Sequence, residues 1–400
     1  MDTQSSIHAI VIKRLKAYQA ASLAIYAHPE TSNHEYFAQE TLTELLGEDG
    51  FSIKKNVARH PTGFTAAYKA RKSGPVIVFL AEYDALPGIG HACGHNLFGT
   101  TSSLAAVALK SVIDTVGGEV RVYGTPGEEG GENGSAKASF VREGFFKDVD
   151  AALCVHASRD GHILTCPSLA CAPVDIQFHG KASHAASAPE KGINALDAVI
   201  AVYNSINALR QHLTSDVRIH GIITHGGDVP NVVPDYAAAK FYLRAATAPT
   251  LDAVYKKVED IVRGAALSTG ATGSMTPSQN RVDNTVITPS FDAVYAKELA
   301  AFGLTAEPPA SVKSIGSTDV GNVSQVVPTI QPQIRISPGP IAGHSEAFKK
   351  AAGSKMGLDS VALGGEVLAR TALRLMTEPA LLASIQAEHR AQVARQSNPR

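Results

Sequence analysis

Cysteine is scarce in this chain, and the scarcity is informative. Four cysteines in 400 residues, Cys93, Cys154, Cys166 and Cys171, show no disulfide-framework spacing, which argues for a reduced, cytoplasmic protein rather than a stapled secreted scaffold. An excess of either charge is missing too. With 36 Lys and Arg against 37 Asp and Glu, the net charge of −1 offers no basic field for nucleic acid or an anionic membrane. The amino terminus lacks a charged region followed by an apolar segment, so no targeting signal is expected. Apolar runs of bilayer length are absent, the longest helical stretches being cut by Lys, Asp, Arg or Asn, so no membrane span is expected. No internal repeat or low-complexity segment is visible. What remains is a soluble chain too long for one core, and two domains are the expectation.

The densest chemistry lies between Leu80 and His95, LAEYDALPGIGHACGH. A β-branched run, Val76 to Phe79, follows Gly74-Pro75 and is too short for a helix, so it reads as a buried parallel strand that breaks into a polar loop. In open α/β sheets ligands gather outside the carboxyl ends of strands, and this strand delivers Glu82, Asp84, His91, Cys93 and His95 to that edge. Thiolate and imidazole suit borderline transition ions, and Gly94 lets the backbone turn between Cys93 and His95.

The pattern repeats along the chain. A helix from about Leu97 to Thr115 leads to a strand from Gly118 to Tyr123, which runs into the Gly-rich loop carrying Glu128 and Glu129. A third apolar run, Asp150 to Val155, ends at His156, and a later strand through Ile336 precedes His344. From about Pro173 the texture changes to β-α-β-β-α-β, the ferredoxin-like split arrangement. The expectation is an α/β catalytic domain, residues 1–172 and 285–400, with a mostly parallel sheet flanked by helices. An α+β lid/dimerisation domain, residues 173–284, is inserted into it.

Five potential ligands at strand ends, Cys93, His95, Glu129, His156 and His344, exceed the four of a structural zinc and fit two ions sharing a bridging group. Glu128, beside one of them on a Gly-flanked loop, is positioned in sequence to act as a general base.

The motifs DALPG (Asp84–Gly88), HACGHN (His91–Asn96), PGEEGG (Pro126–Gly131), GKASHAA (Gly180–Ala186) and GHSEAF (Gly343–Phe348) resemble one family. It is the dinuclear metallopeptidase family of aminoacylases, carnosinases and glutamate carboxypeptidases. The chain looks most like the amidohydrolase branch with p-aminobenzoyl-glutamate hydrolases, indole-acetyl-amino-acid hydrolases and aminoacylase-like dipeptidases. GSTDVGNVS, Gly316–Ser324, points to the first and last of these.

The resemblance implies that Cys93 bridges two divalent ions, zinc first with manganese or cobalt as alternatives. His95, Glu129, His156 and His344 would complete their shells, and Glu128 would be the base. It also implies that His184 reaches a neighbouring subunit's site to stabilise the oxyanion, and that Asn231 and Arg244 hold a substrate carboxylate. Ser317 and Thr318 are expected to contact substrate, and residues between 305 and 327 to shape its pocket. The wider family's His-x-Asp motif falls on Glu82-Tyr83-Asp84 here: its histidine ligand is missing, His95 takes that place, and Asp84 is left to orient a ligand by hydrogen bonding.

The implied protein is a homodimeric, metal-dependent amidohydrolase acting on an N-acyl amino acid or dipeptide with a free carboxylate. Two rivals are a Cys93-nucleophile hydrolase with His95 or His91 as base, and a binding protein that has lost turnover.

Overall fold

Apolar residues at helical spacing open the chain. The structure, a computed structural model, describes residues 2–309 and 316–397. Helix α1 (Thr3–Ala27) is started by Asp2, whose carboxylate accepts from the Ser5 amide at 2.9 Å, and buries Ile7, Val11, Tyr18 and Ile25. Helix α2 (Tyr36–Glu48) follows. Strands β1 (Ser52–Lys55), β2 (Phe64–Lys69) and β3 (Val76–Ala81), helix α3 (His95–Val116), strand β4 (Glu119–Gly124), helix α4 (Ala136–Arg142) and strands β5 (Ala151–Leu153) and β6 (His156–Ser158) complete the first passage.

Contacts divide the chain into two units, Met1–Pro167 with Thr285–Arg400, and Ser168–Asn284. The second begins ahead of the change of texture at Pro173 because its first strand, β7 (Ala170–His179), has already started. It continues through α5 (Ala195–Arg210), β8 (Arg218–His225), β9 (Tyr236–Ala245), α6 (Ala248–Thr269) and β10 (Thr272–Pro277). The chain then returns to the first unit with α7 (Pro289–Ala300), α8 (Val320–Ser324), β11 (Thr329–Ile330), β12 (Gln333–Arg335), α9 (Glu346–Ala352), α10 (Lys355–Thr377) and α11 (Pro379–Ser397). Among the described residues no helix is long and apolar enough to cross a membrane.

In the first unit the sheet order is β1-β2-β4-β3-β5-β11, and β4, β3, β5 and β11 run parallel. Parallel strands are covered on both faces, which is why β3 is an unbroken apolar run buried from Ile77 to Ala81. Helix α3, which carries Leu104, Leu109 and Ile113 at 0% exposure, is packed by α1 and α10. Truncating one such leucine to alanine costs about 2–5 kcal/mol. Gly99 lets α3 seat against the end of β3: a Cβ there would meet the Glu82 carbonyl oxygen at 2.6 Å. Neighbouring parallel strands therefore deliver their carboxyl ends, and the loops after them, to one edge.

The second unit has a four-stranded antiparallel sheet, β10-β7-β9-β8, with a core of Val174, Ile176, Phe178, Val199, Val202, Phe241 and Leu243. This is the ferredoxin-like order expected from the succession of elements. Strand β8 lies at the sheet's edge with Ile222 64% and Ile223 43% exposed.

Candidate metal centre

Two loops meet where β3 and β4 end. After β3 the chain runs through a polar turn to Cys93, Gly94 and His95. Gly94 has φ +82° and no room for a side chain, since a Cβ would meet that of Ala157 at 2.7 Å. That conformation starts α3 at His95 and buries the ring completely. After β4 the loop carrying Glu128 and Glu129 is tied down from several sides. Glu35 Oε1 accepts from the Gly127 amide at 3.0 Å, and Asn33 Nδ2 donates to the carbonyls of Glu132 and Asn133, both at 2.9 Å. Asp84 joins the two loops: its Oδ1 lies 2.9 Å from His95 Nδ1, and its Oδ2 accepts from the Glu129 amide at 2.9 Å.

Donor atoms converge in three overlapping groups, each within 4.8 Å: Cys93, His95 and His156; Cys93, Glu129 and His344; and Glu82, His95 and Glu128. Cys93 belongs to two of them and His95 to two. Both imidazoles present Nε2, because Nδ1 of His95 is engaged by Asp84 and Nδ1 of His156 lies 2.7 Å from the Ala157 carbonyl. His156 begins β6, since the backbone breaks after β5 and resumes against β12. His344 lies beyond β12 in a left-handed conformation, φ +52°, with its side chain 57% exposed.

The donors fit divalent ions. Cys93 Sγ and His156 Nε2 are 3.4 Å apart, and His344 Nε2 and Glu129 Oε1 are 3.6 Å apart. Ligand atoms held at about 2.0–2.3 Å from one ion stand about 3.3–3.8 Å from each other at tetrahedral angles. Among the described residues His95 Nε2 and Glu129 Oε1 are buried without a hydrogen-bond partner, as metal donors are before loading.

The electrostatics point the same way. Burial, then the charges of Glu82 and Glu129, pushes the Glu128 carboxyl well above its ordinary range. Burial pushes the Cys93 thiol up, with Glu129 adding to it. Burial and the neighbouring His95 lower His156 to about 4, which keeps it neutral and ligand-competent. Negative groups crowded out of water call for cations.

Sequence reasoning passed over several residues here. Lys137, on α4, is wholly buried with Nζ 2.6 Å from Asp319 Oδ1 and 2.7 Å from Glu82 Oε1. Glu35 is buried with its carboxyl pushed up to about 8 by burial and by the charge of Asp84. Ser317 and Thr318 lead into the turn before α8, where the Thr318 carbonyl accepts from the Gly321 amide at 3.0 Å. Of the expected pocket-shaping residues 305–327, positions 310–315 lie outside the described residues.

The expected substrate residues of the second unit do not all come together. His184 forms an isolated β-bridge with Val232, and the Ala185 amide donates to the Asn231 carbonyl at 3.0 Å, so the His184 and Asn231 segments are neighbours. His184 Nδ1 accepts from the amides of Ala186 and Ser187, both at 3.2 Å, which leaves the proton of the neutral ring on Nε2. Arg244 stands elsewhere, its guanidinium 5.5 Å from the Tyr242 ring centre. It lies eight residues along β9 from Tyr236, or about 27 Å at 3.4 Å per residue. Asn231 lies in the loop ahead of β9, and Arg244 stands near the strand's far end.

The chain is similar to known proteins. Residues 172–269 match the family model described as the M20 peptidase dimerisation domain. The Xaa-Arg dipeptidase of Mus musculus is 35% identical over 383 residues, 92% of this chain and 88% of that protein. A p-aminobenzoyl-glutamate hydrolase chain of Escherichia coli (strain K12) is 39% identical over 268 residues, 62% of this chain and 55% of that one. In fold, a dinuclear metal-binding peptidase of the M20 family from Bacillus subtilis superposes with a TM-score of 0.58 at 21% identity, covering 92% of this chain and 99% of the other.

Proposed function

The chain belongs to the M20 family of metallopeptidases, and from that premise we propose that it hydrolyses the amide bond of a dipeptide or N-acyl amino acid ending in a free carboxylate. The observation that supports this most is the pair of donor groups meeting at Cys93, with Glu128 at their edge. Cys93, His95 and His156 would hold one divalent ion, and Cys93, Glu129 and His344 the other. Bound there, the ions would polarise the amide carbonyl and lower the pKa of water, with zinc the first expectation and manganese or cobalt alternatives.

The side chains do the rest. Glu128 takes the proton of the attacking water on its carboxylate and returns it to the departing amine nitrogen. Burial, then the crowding by Glu82 and Glu129, raises its affinity for that proton, and cations beside it would bring the affinity back toward neutrality. His184 donates its Nε2 proton as a hydrogen bond to the developing oxyanion. Arg244 receives the substrate carboxylate with its planar fork, and Ser317 and Thr318 are expected to contact substrate.

The separation of Arg244 from His184 and Asn231 favours a site assembled from two copies of the chain, Arg244 acting in its own subunit and the other two in the neighbour's. The exposed edge strand β8, with Ile222 and Ile223 bare, offers the surface on which a two-fold homodimer would form. Four free cysteines suit a reducing, cytoplasmic compartment. The nucleophilic-thiol alternative is weakened by burial and then by the charge of Glu129, both of which oppose a free thiolate at Cys93. The binding-only alternative leaves Glu128 without a task.

A metal count on the purified protein, paired with hydrolysis assays on Xaa-Arg and other dipeptides, p-aminobenzoyl-glutamate and N-acyl amino acids, tests the reading. The expected result is two divalent ions per chain and turnover that chelation abolishes. Metal-free protein with full turnover would overturn it.

A further inference from the structure

The proposed reaction gives Glu82 no task, yet this carboxylate is wholly enclosed beside the metal centre. It follows β3 directly, and its two oxygens face different neighbours. Oε1 lies 2.7 Å from Lys137 Nζ, and the same ammonium lies 2.6 Å from Asp319 Oδ1. Asp319 Oδ2 accepts in addition from the Lys137 backbone amide at 3.1 Å. All three side chains have no exposed surface. The end of β3, the first turn of α4 and the turn into α8 are thus pinned by one ammonium held between two carboxylates. Buried ion pairs of this kind return little net stability for the desolvation they require, so their purpose is to be sought in what they aim.

What this one aims is Glu82 Oε2. That atom lies 3.2 Å from His95 Nε2, but no hydrogen bond joins them, and neither has another hydrogen-bond partner among the described residues. His95 is not free to turn and improve the contact, because its Nδ1 is fixed on Asp84 at 2.9 Å. A close, unaligned approach of two buried donor atoms is the spacing expected where both face one ion. Glu82 also stands at the position where the wider family, by its resemblance to this chain, carries a ligating histidine.

We infer that Glu82 is a further ligand of the ion held by His95, and that Lys137 and Asp319 form the brace that aims its Oε2 there. The inference rests on the two-ion reading of the proposed function. It makes the two ions unequal. Glu82 joins the shell of Cys93, His95 and His156 through His95, the donor that both groups share, whereas the group of Cys93, Glu129 and His344 gains no such addition.

Cobalt(II) is the probe, because its visible absorption bands report the donor set while titration reports affinity. Wild-type protein is expected to take up two Co²⁺. Glu82→Ala should hold one of them at least roughly 100-fold more weakly and with altered bands. Glu82→Gln, which keeps the side-chain volume if the alanine variant fails to fold, should show the same change of bands. Lys137→Met removes the brace but keeps the donor, so it should cost about 10–100-fold in affinity with the bands retained. The inference is overturned if either Glu82 variant superposes on wild type, or if affinity falls while the bands stay unchanged, which would mean that Glu82 acts only through His95. A wild-type protein that binds no Co²⁺ would instead defeat the two-ion reading itself.

Discussion

Glutamine in place of Glu128 would isolate a single act of the chemistry. The side chain keeps its shape and leaves all five donors at Cys93, His95, Glu129, His156 and His344 in place, but it no longer accepts a proton. Turnover should fall by about 10²- to 10⁴-fold at an unchanged metal content, measured as kcat beside an elemental count. Near-normal kcat, or loss of metal, would show that Glu128 has another role. Residues at this scale differ in how legible they are. Cys93, His95, Glu128 and Glu129 stand just past strands in Gly-rich turns, where chemistry of this kind concentrates, and the structure gathers them. Lys137 is different. A lysine in the first turn of a helix is ordinarily a solvated surface group, and nothing in its neighbours says that α4 turns it inward onto Glu82 and Asp319.

Elements show the same division. Helices α1, α3, α6 and α10 and strands β3, β4, β7 and β9 carry long periodic or unbroken apolar runs and were open to reading. Strand β1, Ser-Ile-Lys-Lys, and the two-residue β11 exist because an edge was there to pair with, which no local pattern announces. The start of α7 offers a prediction. Asp292 is buried, and its Oδ1 accepts from the Thr165 amide at 3.2 Å and from the Thr165 hydroxyl at 2.6 Å. Burial nevertheless pushes its carboxyl up to about 6. The folded chain therefore binds this proton more tightly than the unfolded chain does. Stability is fully present below the unfolded value near 3.8, falls as pH rises through about 6, and stays reduced above that. The penalty is about 3 kcal/mol at most. Asp292→Asn keeps the acceptor oxygen and loses only a small helix-terminus term, so it should raise the melting temperature at pH 8 and match wild type below pH 4. An equal or lower melting temperature at pH 8 would show that the carboxylate is not penalised.

At the scale of the whole molecule, the sequence order showed one domain set into another but did not show that Arg244 stands at the far end of β9 from Tyr236, with Asn231 in the loop ahead of that strand beside His184. Eight residues read as local in a string, yet laid along a strand they span about 27 Å. If His184 serves the neighbouring subunit, two dead proteins should cure each other. Glu128→Ala and His184→Ala chains, mixed and allowed to exchange, form mixed dimers in which the site on the His184→Ala chain has its own Glu128 and borrows an intact His184. Random pairing makes about half the dimers mixed with one working site each, so roughly a quarter of wild-type activity should return. No recovery after confirmed exchange would place His184 in its own subunit's site.

The pairing of β3 with β4 sets a scale for all of this. The two strands keep one register over six residues, from Val76 opposite Glu119 to Ala81 opposite Gly124, and release their loops side by side. Neighbouring strands lie about 4.8 Å apart, close to the roughly 3.5–4 Å that separates the ions of a two-metal site. The sheet thus works as a ruler, with Asp84 as the mark joining its two edges. Slipping β3 by one residue would displace Cys93 and His95 by about 3.3 Å, nearly the whole distance between the ions.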